Sequence, residues 1–165
     1  MMLADCAAPM RGIDTLSAAA AGADPQVLFA AIDACAHDVL RHRLCTLNRF
    51  DPGRMALVRL YSSDPKAYPP GGGKDKRGTP WGHQVLVEQR VFVGEGARAI
   101  RQAFDDHEAI AALGLRSVIN VPLSARGACL GTLNFLMPEE HVTPEQVAFA
   151  RLAGLLALPG LLVLP

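Results

Sequence analysis

Two apolar runs in the C-terminal third decide how this chain folds: LRSVINVPL at residues 115–123 and GTLNFL at residues 131–136. Both runs are rich in β-branched and aromatic residues, which favour strands. The stretch from Ser124 to Ala128 contains a glycine and connects them. Because so short a connection joins neighbouring strands, we predict an antiparallel hairpin with strands at Ser117–Leu123 and Cys129–Met137.

A capped helix follows this hairpin. The segment Thr143-Pro144-Glu145-Gln146 combines an N-cap residue, a proline at the first helical position and a glutamine placed for a capping box. The helix is expected to end near Pro159, because proline disrupts a helix interior. Its inward-facing residues are predicted to be Val147, Ala150, Leu155 and Leu158.

The N-terminal part of the chain predicts another helix. Asp24 is a good N-cap, Pro25 suits the first helical position, and apolar residues then recur on one helical face. The basic run Arg41–Arg43 closes this helix in our interpretation, because the helix dipole favours cations there. Residues 1–23 are predicted to form a tail or a loosely docked helix, and residues 24–165 a single domain.

A second hairpin and several short elements lie between the two helices. Leu44–Phe50 and Met55–Tyr61 are predicted strands around an Asp-Pro-Gly turn. Ser62–Gly78 is a long Pro- and Gly-rich loop, and such loops are often functional or disordered. This order of elements predicts an α+β fold with a central antiparallel β-sheet and helices on both faces. The remaining predicted elements are a helix at Thr79–Glu88, a strand at Arg90–Val93, a helix at Ala97–Phe104 and a helical turn ending at Gly114.

Composition narrows the classes of function. The 165 residues carry a formal net charge of zero, so no global positive charge supports nucleic-acid binding. The most apolar stretch, residues 152–164, is too short for a membrane span of roughly 20 residues. The N-terminus lacks a secretory signal, and the four cysteines form no zinc or redox motif. We therefore expect a cytoplasmic protein that binds neither nucleic acid nor a membrane.

The two C-terminal runs resemble strand motifs of the GAF family. Ser117–Leu123 is similar to the family's serine-apolar-apolar-x-Val-Pro-Leu strand, and Gly131–Leu136 is similar to its following glycine strand. The helix from Thr143 occupies the position of the family's closing helix. Val91–Glu95 resembles the strand that ends in an acidic residue before the ligand-covering helices. The resemblance covers about residues 24–158.

This resemblance implies a layered domain with a ligand pocket. One sheet face would carry the first and last helices. The other face would form a pocket under the roof, our name for the segment between Thr79 and Gly114. Family members often dimerise through their terminal helices, and we expect such a homodimer here. Because the chain stops soon after the closing helix, a small-molecule sensor of this type would signal through a separate partner protein.

The resemblance also bears on cofactors. Relatives that bind a bilin covalently need a cysteine near the pocket, and the free methionine sulfoxide reductases of this fold use cysteines from the same region. No cysteine lies between Cys45 and Cys129, so we expect neither a covalent bilin nor this reductase activity. His37 and His42 would point to different sides of the predicted helix and form no metal pair. We predict no metal, no haem and no other cofactor.

Aromatic and titratable residues near the predicted pocket are candidates for ligand contacts. Trp81 would lie in the roof, and Tyr61 and Tyr68 would border the long loop, where an aromatic ring can stack on a planar ligand. His107 would lie in the roof helices. Glu95 ends the strand that precedes them.

Two asparagines interrupt the apolar C-terminal strands, and buried amides need hydrogen-bond partners. Asn120 and Asn134 would anchor a ligand if their sheet face meets the pocket, and would be structural if it meets the terminal helices. Both alternatives stay open, because periodicity does not orient the sheet. The full set of candidate ligand-binding residues is Tyr61, Trp81, Glu95, His107, Asn120 and Asn134.

Two other classes of function stay open. One is an enzyme acting on a small polar metabolite, with His107 and Glu95 as the acid–base pair. The other is a protein-interaction module with a filled pocket, in which the tail Gly160–Pro165 packs on a partner. Cys45 and Cys129 are either small buried side chains or a thiol sensor.

Overall fold

Within residues 12–165, six strands form one antiparallel sheet. The computed structural model describes residues 12–165, so residues 1–11 of the predicted tail at residues 1–23, including Cys6, lie outside the described residues. Helices cover both faces of the sheet, which confirms the predicted α+β fold. The helices are α1 (Ile13–Ala21), α2 (Pro25–Leu40), α3 (Pro80–Gly82), α4 (Gly96–Ala103), α5 (His107–Ala112) and α6 (Pro144–Leu162). The strands are β1 (Leu44–Asp51), β2 (Ala56–Ser62), β3 (Gly73–Asp75), β4 (Phe92–Glu95), β5 (Ser117–Ala125) and β6 (Ala128–Met137). Across the sheet the strands lie in the order β3-β2-β1-β6-β5-β4.

The two predicted hairpins form the centre of the sheet. β1 pairs with β2 and β5 pairs with β6, while β6 also pairs with β1 and so joins the hairpins. Asn134 lies opposite Thr46 on one side and opposite Asn120 on the other. Three polar residues therefore form one row across three central strands.

An extra residue in β2 changes the face that its side chains occupy. Leu47 pairs with Tyr61, but Asn48 pairs with Arg59, so Leu60 is a bulge residue. In a regular strand Arg59 and Tyr61 would share a face. The bulge instead places Arg59 on the roof side of the sheet and Tyr61 on the opposite, helix side.

The loop predicted at residues 62–78 contains the short edge strand β3. Lys74 of β3 lies opposite Leu57 of β2. The Arg59 N–H donates to the Gly72 carbonyl at 3.1 Å, and the Gly71 N–H donates to the Arg59 carbonyl at 2.8 Å. The sequence did not predict this strand, because Pro- and Gly-rich composition hides a pairing that depends on backbone hydrogen bonds.

Helices α1, α2 and α6 cover the helix side of the sheet. The Asp24 carboxylate accepts a hydrogen bond from the Gln26 N–H at 2.9 Å, and Thr143 and Gln146 form the predicted capping box. Leu16 of α1 is buried, so the described part of this helix is docked on the core. The largest buried side chains of this layer include Phe29, Ile32, Leu40, Leu47, Ile119, Leu133 and Phe135.

The first long helix ends earlier than predicted. α2 stops at Leu40, and Arg41 adopts a left-handed conformation with φ of 52°. The run Arg41–Arg43 therefore lies beyond the helix. His42 is not a helical residue, and its ring centre lies 5.3 Å from that of His37, so the prediction that these rings point apart was wrong.

The last helix ends later than predicted. α6 continues through Pro159 to Leu162. Proline removes the hydrogen bond to the carbonyl four residues earlier, and that residue, Leu155, is 65% exposed, so water can replace the lost partner. By length and composition α6 is the one described helix that could cross a membrane, although core helices of soluble proteins pass the same test. Its inner face packs on the sheet through Ala150, Ala153, Gly154 and Ala157.

The roof consists of short elements. The helix predicted at Thr79–Glu88 is the single turn α3 followed by a π-helical segment at His83–Val87. The Thr79 hydroxyl accepts a hydrogen bond from the Gly82 N–H at 3.0 Å and so caps α3. β4 begins two residues later than the predicted strand, and α4 and α5 lead into β5.

Gly131 marks a close approach of β6 to β1. A Cβ atom at Gly131 would lie 2.1 Å from the Asn48 carbonyl oxygen. Gly131→Ala should therefore lower the free energy of unfolding in urea by about 1–3 kcal/mol through overpacking. Gly73→Ala is the matched control, because its Cβ would lie 3.9 Å from the nearest atom. Equal losses from both changes would contradict this packing account.

Candidate ligand-binding site

A cavity of about 60 Å³ lies between the sheet and the roof. Strands β1, β2, β5 and β6 form its floor, while the roof and the loop at residues 62–78 close it from the other side. Part of the lining is apolar and the rest is polar or charged. The apolar part includes Leu44, Leu57, Ile110, Val118 and Leu136.

A chain of hydrogen bonds links the roof to the floor. The Trp81 indole N–H donates to Asn120 Oδ1 at 2.9 Å, and the Asn120 amide donates to Asn134 Oδ1 at 2.8 Å. Asn134 in turn donates to the Thr46 hydroxyl at 3.1 Å. The asparagine face is therefore the cavity face, and the structure brings three of the six candidate residues together there.

Arg59 is a buried cation in the cavity wall, with 9% of its surface exposed. Its Nη1 donates to the Pro69 carbonyl at 3.1 Å, and its Cζ lies 5.0 Å from the centre of the Tyr68 ring. Its buried Nε has no hydrogen-bond partner among the described residues. Burial lowers the pKa of Arg59, but an arginine stays charged at neutral pH.

Two lysines from the loop reach the same cavity. Lys74 Nζ lies 2.9 Å from Oδ2 of Asp106, the N-cap residue of α5, and so ties the loop to the roof. Lys76 is only 7% exposed. Its Nζ lies 4.9 Å from the ring centre of Trp81 and 5.9 Å from that of Phe104. Within residues 12–165, Lys76 forms no ion pair with a carboxylate.

The charged groups alter one another's ionisation. Burial lowers the pKa of Lys76 and Lys74 lowers it further, whereas Asp106 and Asp105 act in the opposite direction. Burial opposes ionisation of Asp106, but the hydrogen bond from Lys74 helps bring the pKa of this carboxyl below its usual value. Burial and the Asp106 charge raise the pKa of Tyr68. The lining holds three basic side chains, Arg59, Lys74 and Lys76, and one acidic side chain, Asp106.

Tyr61 lies outside the cavity, on the helix side of the sheet. Its hydroxyl donates to Asp33 Oδ2 at 2.6 Å, and burial together with this hydrogen bond raises the pKa of Tyr61. The bulge at Leu60 causes this placement. Tyr61, which the sequence places among the ligand contacts, therefore does not line this cavity and instead ties α2 to β2.

Glu95 and His107, which the sequence also places among the ligand contacts, lie outside the lining of this cavity. Glu95 Oε1 accepts a hydrogen bond from the Val142 N–H at 2.6 Å and lies 4.0 Å from His141 Nδ1. His107 lines a separate surface depression beside Arg116. In the part of the chain that the structure describes, no hydrogen bond or ion pair joins Glu95 to His107, so the acid–base pair considered from the sequence is not formed.

The sequence matches the family model of the GAF domain over residues 19–157. The chain belongs to the GAF domain family. No curated protein matches the chain by sequence.

Several solved structures share the GAF fold of this chain. The GAF domain of a phosphoenolpyruvate-protein phosphotransferase from Coxiella burnetii is 17% identical, with a TM-score of 0.71 over 90% of this chain and 92% of that one. A domain of a two-component sensor histidine kinase protein from Sinorhizobium meliloti is 14% identical, with a TM-score of 0.60 over 79% and 85%. The chromophore-binding domain of a Stigmatella aurantiaca bacteriophytochrome is 14% identical, with a TM-score of 0.64 over 95% and 59%. Likeness at this level of identity shows the fold alone.

A second polar cluster lies on the helix side of this GAF domain. His42 Nε2 lies 2.6 Å from Asp33 Oδ1, and potential ligand atoms of Asp33, His42 and Cys45 all lie within 4.8 Å of one another. These residue types can bind a metal. Asp33, however, already accepts hydrogen bonds from His42 and Tyr61. Burial raises the pKa of the Cys45 and Cys129 thiols, which favours buried packing over thiol sensing.

Sequence reasoning missed the charged part of the GAF cavity. One signal was available: the run YPPGGGKDK at residues 68–76 combines an aromatic residue, glycines and two lysines in a loop that is long for a simple connection. Its glycines favoured the interpretation as a flexible loop. The missed residues are Arg59, Lys74, Lys76, Phe104 and Asp106, whereas Tyr68, an aromatic of the loop that the sequence indicated, does line the cavity.

The hydrogen bond between Trp81 and Asn120 should couple these residues energetically. Asn120→Ala leaves the Trp81 indole N–H and the Asn134 side-chain carbonyl without this partner in a buried site, so we expect a loss of about 1–3 kcal/mol in urea unfolding. A double-mutant cycle with Trp81→Phe should give a coupling energy of about 0.5–3 kcal/mol. Strictly additive losses would contradict the link between roof and floor.

Proposed function

We propose that this GAF domain binds a small molecule in its cavity and acts as a sensory or regulatory domain. The cavity carries the proposal, because it lies between sheet and roof and combines an apolar lining with a few convergent polar groups. Small-molecule sites have this character. Domains of the same fold in a sensor histidine kinase protein and a bacteriophytochrome support a role in signalling. The output passes to a separate partner protein in this proposal.

The dimensions of the cavity favour a small ligand. A volume of about 60 Å³ accommodates only a few water molecules at roughly 10–15 Å³ each. A tetrapyrrole would require the roof to move away from the floor. We therefore propose a small metabolite as the ligand, with no haem, bilin or other cofactor.

The arrangement of polar groups favours binding over catalysis. Trp81, Asn120 and Asn134 form hydrogen bonds with one another, and neither Glu95 nor His107 lines the cavity.

We also propose a cytoplasmic location without nucleic-acid or membrane binding. The balanced charge of the chain supports the absence of nucleic-acid binding, and the packing of α6 on the sheet supports its role as a core helix.

An apolar surface on the last helix supports a homodimer. Leu152, Leu155 and Leu162 of α6 and the adjacent Val163 are large apolar residues that remain exposed. Contiguous apolar surface often marks an interaction site. We propose a second copy of the chain as the occupant, because a two-fold axis would pack this surface against itself.

Ligand binding is tested by filling the cavity. Leu136→Phe places a larger side chain in the floor, and Val58→Phe is the control at an exposed position of β2. Native mass spectrometry of the purified chain, followed by a thermal-shift screen of metabolites, should reveal one ligand per chain for the wild type and Val58→Phe. Leu136→Phe should lose it. Equal binding by Leu136→Phe, or no ligand in either assay, would refute the proposal.

The dimer is tested by placing a charge on the α6 surface. Leu155→Glu should shift the chain from dimer to monomer in size-exclusion chromatography with light scattering, because a carboxylate is costly in an apolar interface. Val58→Glu, at an exposed site on β2, should leave the dimer intact. A monomeric wild type, or a dimer unaffected by Leu155→Glu, would rule out this interface.

A further inference from the structure

We infer, building on the proposed ligand-binding function, that the cavity takes a small oxyanion: a metabolite whose carboxylate or phosphate group lies between Arg59 and Lys76. The lining supplies three cations, and its one carboxylate, Asp106, already pairs with Lys74 at 2.9 Å. Two positive charges therefore remain without a carboxylate partner in the described cavity. A ligand with one or two negative charges would neutralise them.

Burial makes this imbalance significant. Arg59 and Lys76 are only 9% and 7% exposed, and a cation removed from water is unfavourable unless it is paired. The faces of Tyr68 and Trp81 lie 5.0 and 4.9 Å from these cations and offset part of the cost. An aromatic face does not replace a counter-ion, so the cavity wall holds charge that an anion would stabilise.

The hydrogen-bonding capacity of Arg59 points to an oxygen acceptor. A guanidinium has five N–H donors and no acceptor. Nη1 uses one donor on the Pro69 carbonyl, while the buried Nε has no partner among the described residues. Carboxylate and phosphate oxygens match the planar donor geometry of arginine and form stronger hydrogen bonds than neutral acceptors.

The rest of the lining restricts the part of the ligand that is attached to its anionic group. Leu44, Val118 and Leu136 form an apolar part of the floor beneath the charged wall. The asparagine amides are engaged with each other and with Thr46. A short hydrocarbon attached to the anionic group suits this surface better than a polar body of nucleotide size.

A structural role for the two cations makes a different prediction. One alternative is that Arg59 and Lys76 only stabilise the roof through their contacts with Tyr68 and Trp81. Removing either charge should then lower the melting temperature of the chain, and the variant should still respond to the same anions as the wild type. If they are an anion site, Lys76→Met should keep or raise the melting temperature of the anion-free chain, because an unpaired buried charge is removed. The same variant should lose the response to anions.

The test is calorimetry and thermal shift on the full chain with defined probes at constant ionic strength. The probes are acetate, propionate, succinate and inorganic phosphate, with acetamide, propionamide and succinamide as uncharged matches. The variants are Arg59→Gln and Lys76→Met. The controls are Arg54→Gln and Lys66→Met, which remove cations at exposed positions outside the cavity. Circular dichroism checks that each variant is folded.

At least one anion should bind and stabilise the wild type, while its amide should not. Arg59→Gln and Lys76→Met should weaken this binding by roughly 30-fold or more, and the control variants should not change it. Tighter binding of phosphate or of a carboxylate shows which of these two groups the natural ligand contains. Equal binding of anions and amides, unchanged affinity in both cavity variants, or no binding of any anion would overturn the inference.

The result also separates this inference from the proposed function. A neutral ligand that binds the wild type and is lost in Leu136→Phe would overturn the anion site but leave the ligand-binding function standing. Absence of every ligand, charged or neutral, would remove both.

Discussion

The bulge at Leu60 is the constraint on which both sides of this domain depend. One extra residue in β2 sends Arg59 to the cavity and Tyr61 to the helix side. The Tyr61 hydroxyl then bonds to Asp33 of α2, while Arg59 brings a guanidinium to the cavity wall. A regular strand would put both side chains on one face. Either the cavity would lose its arginine or α2 would lose its anchor to the sheet.

Trp81 connects the charged wall of the cavity to its floor. The face of its ring lies 4.9 Å from Lys76 Nζ, and its indole N–H bonds to Asn120 in the central strands. Lys74 makes a second connection, because its ion pair with Asp106 joins the loop to the start of α5. An anion at Lys76 would therefore act on residues that already hold the roof to the sheet. Binding of the ligand would therefore change the position of the roof directly, through these contacts.

Local signals in the sequence explain which parts of the fold could be predicted. The β-branched runs around Asn120 and Asn134 and the capping box at Thr143 depend on near neighbours, and the hairpins and helices they predict are present. The face of Tyr61 depends on a bulge in the register between two strands, which periodicity does not reveal. The place of Lys76 in the cavity depends on the path of a loop whose composition indicates only flexibility. The charged half of the site was therefore missed.

The cavity between sheet and roof should bind anions through its buried cations, Arg59 and Lys76. Bromide is a small anion whose anomalous scattering identifies it directly, so crystals of the GAF domain soaked in bromide give a direct test. We expect an ordered bromide inside the cavity, in contact with the Arg59 guanidinium and Lys76 Nζ. Bromide sites confined to the outer surface, with only water between Arg59 and Lys76, would contradict it.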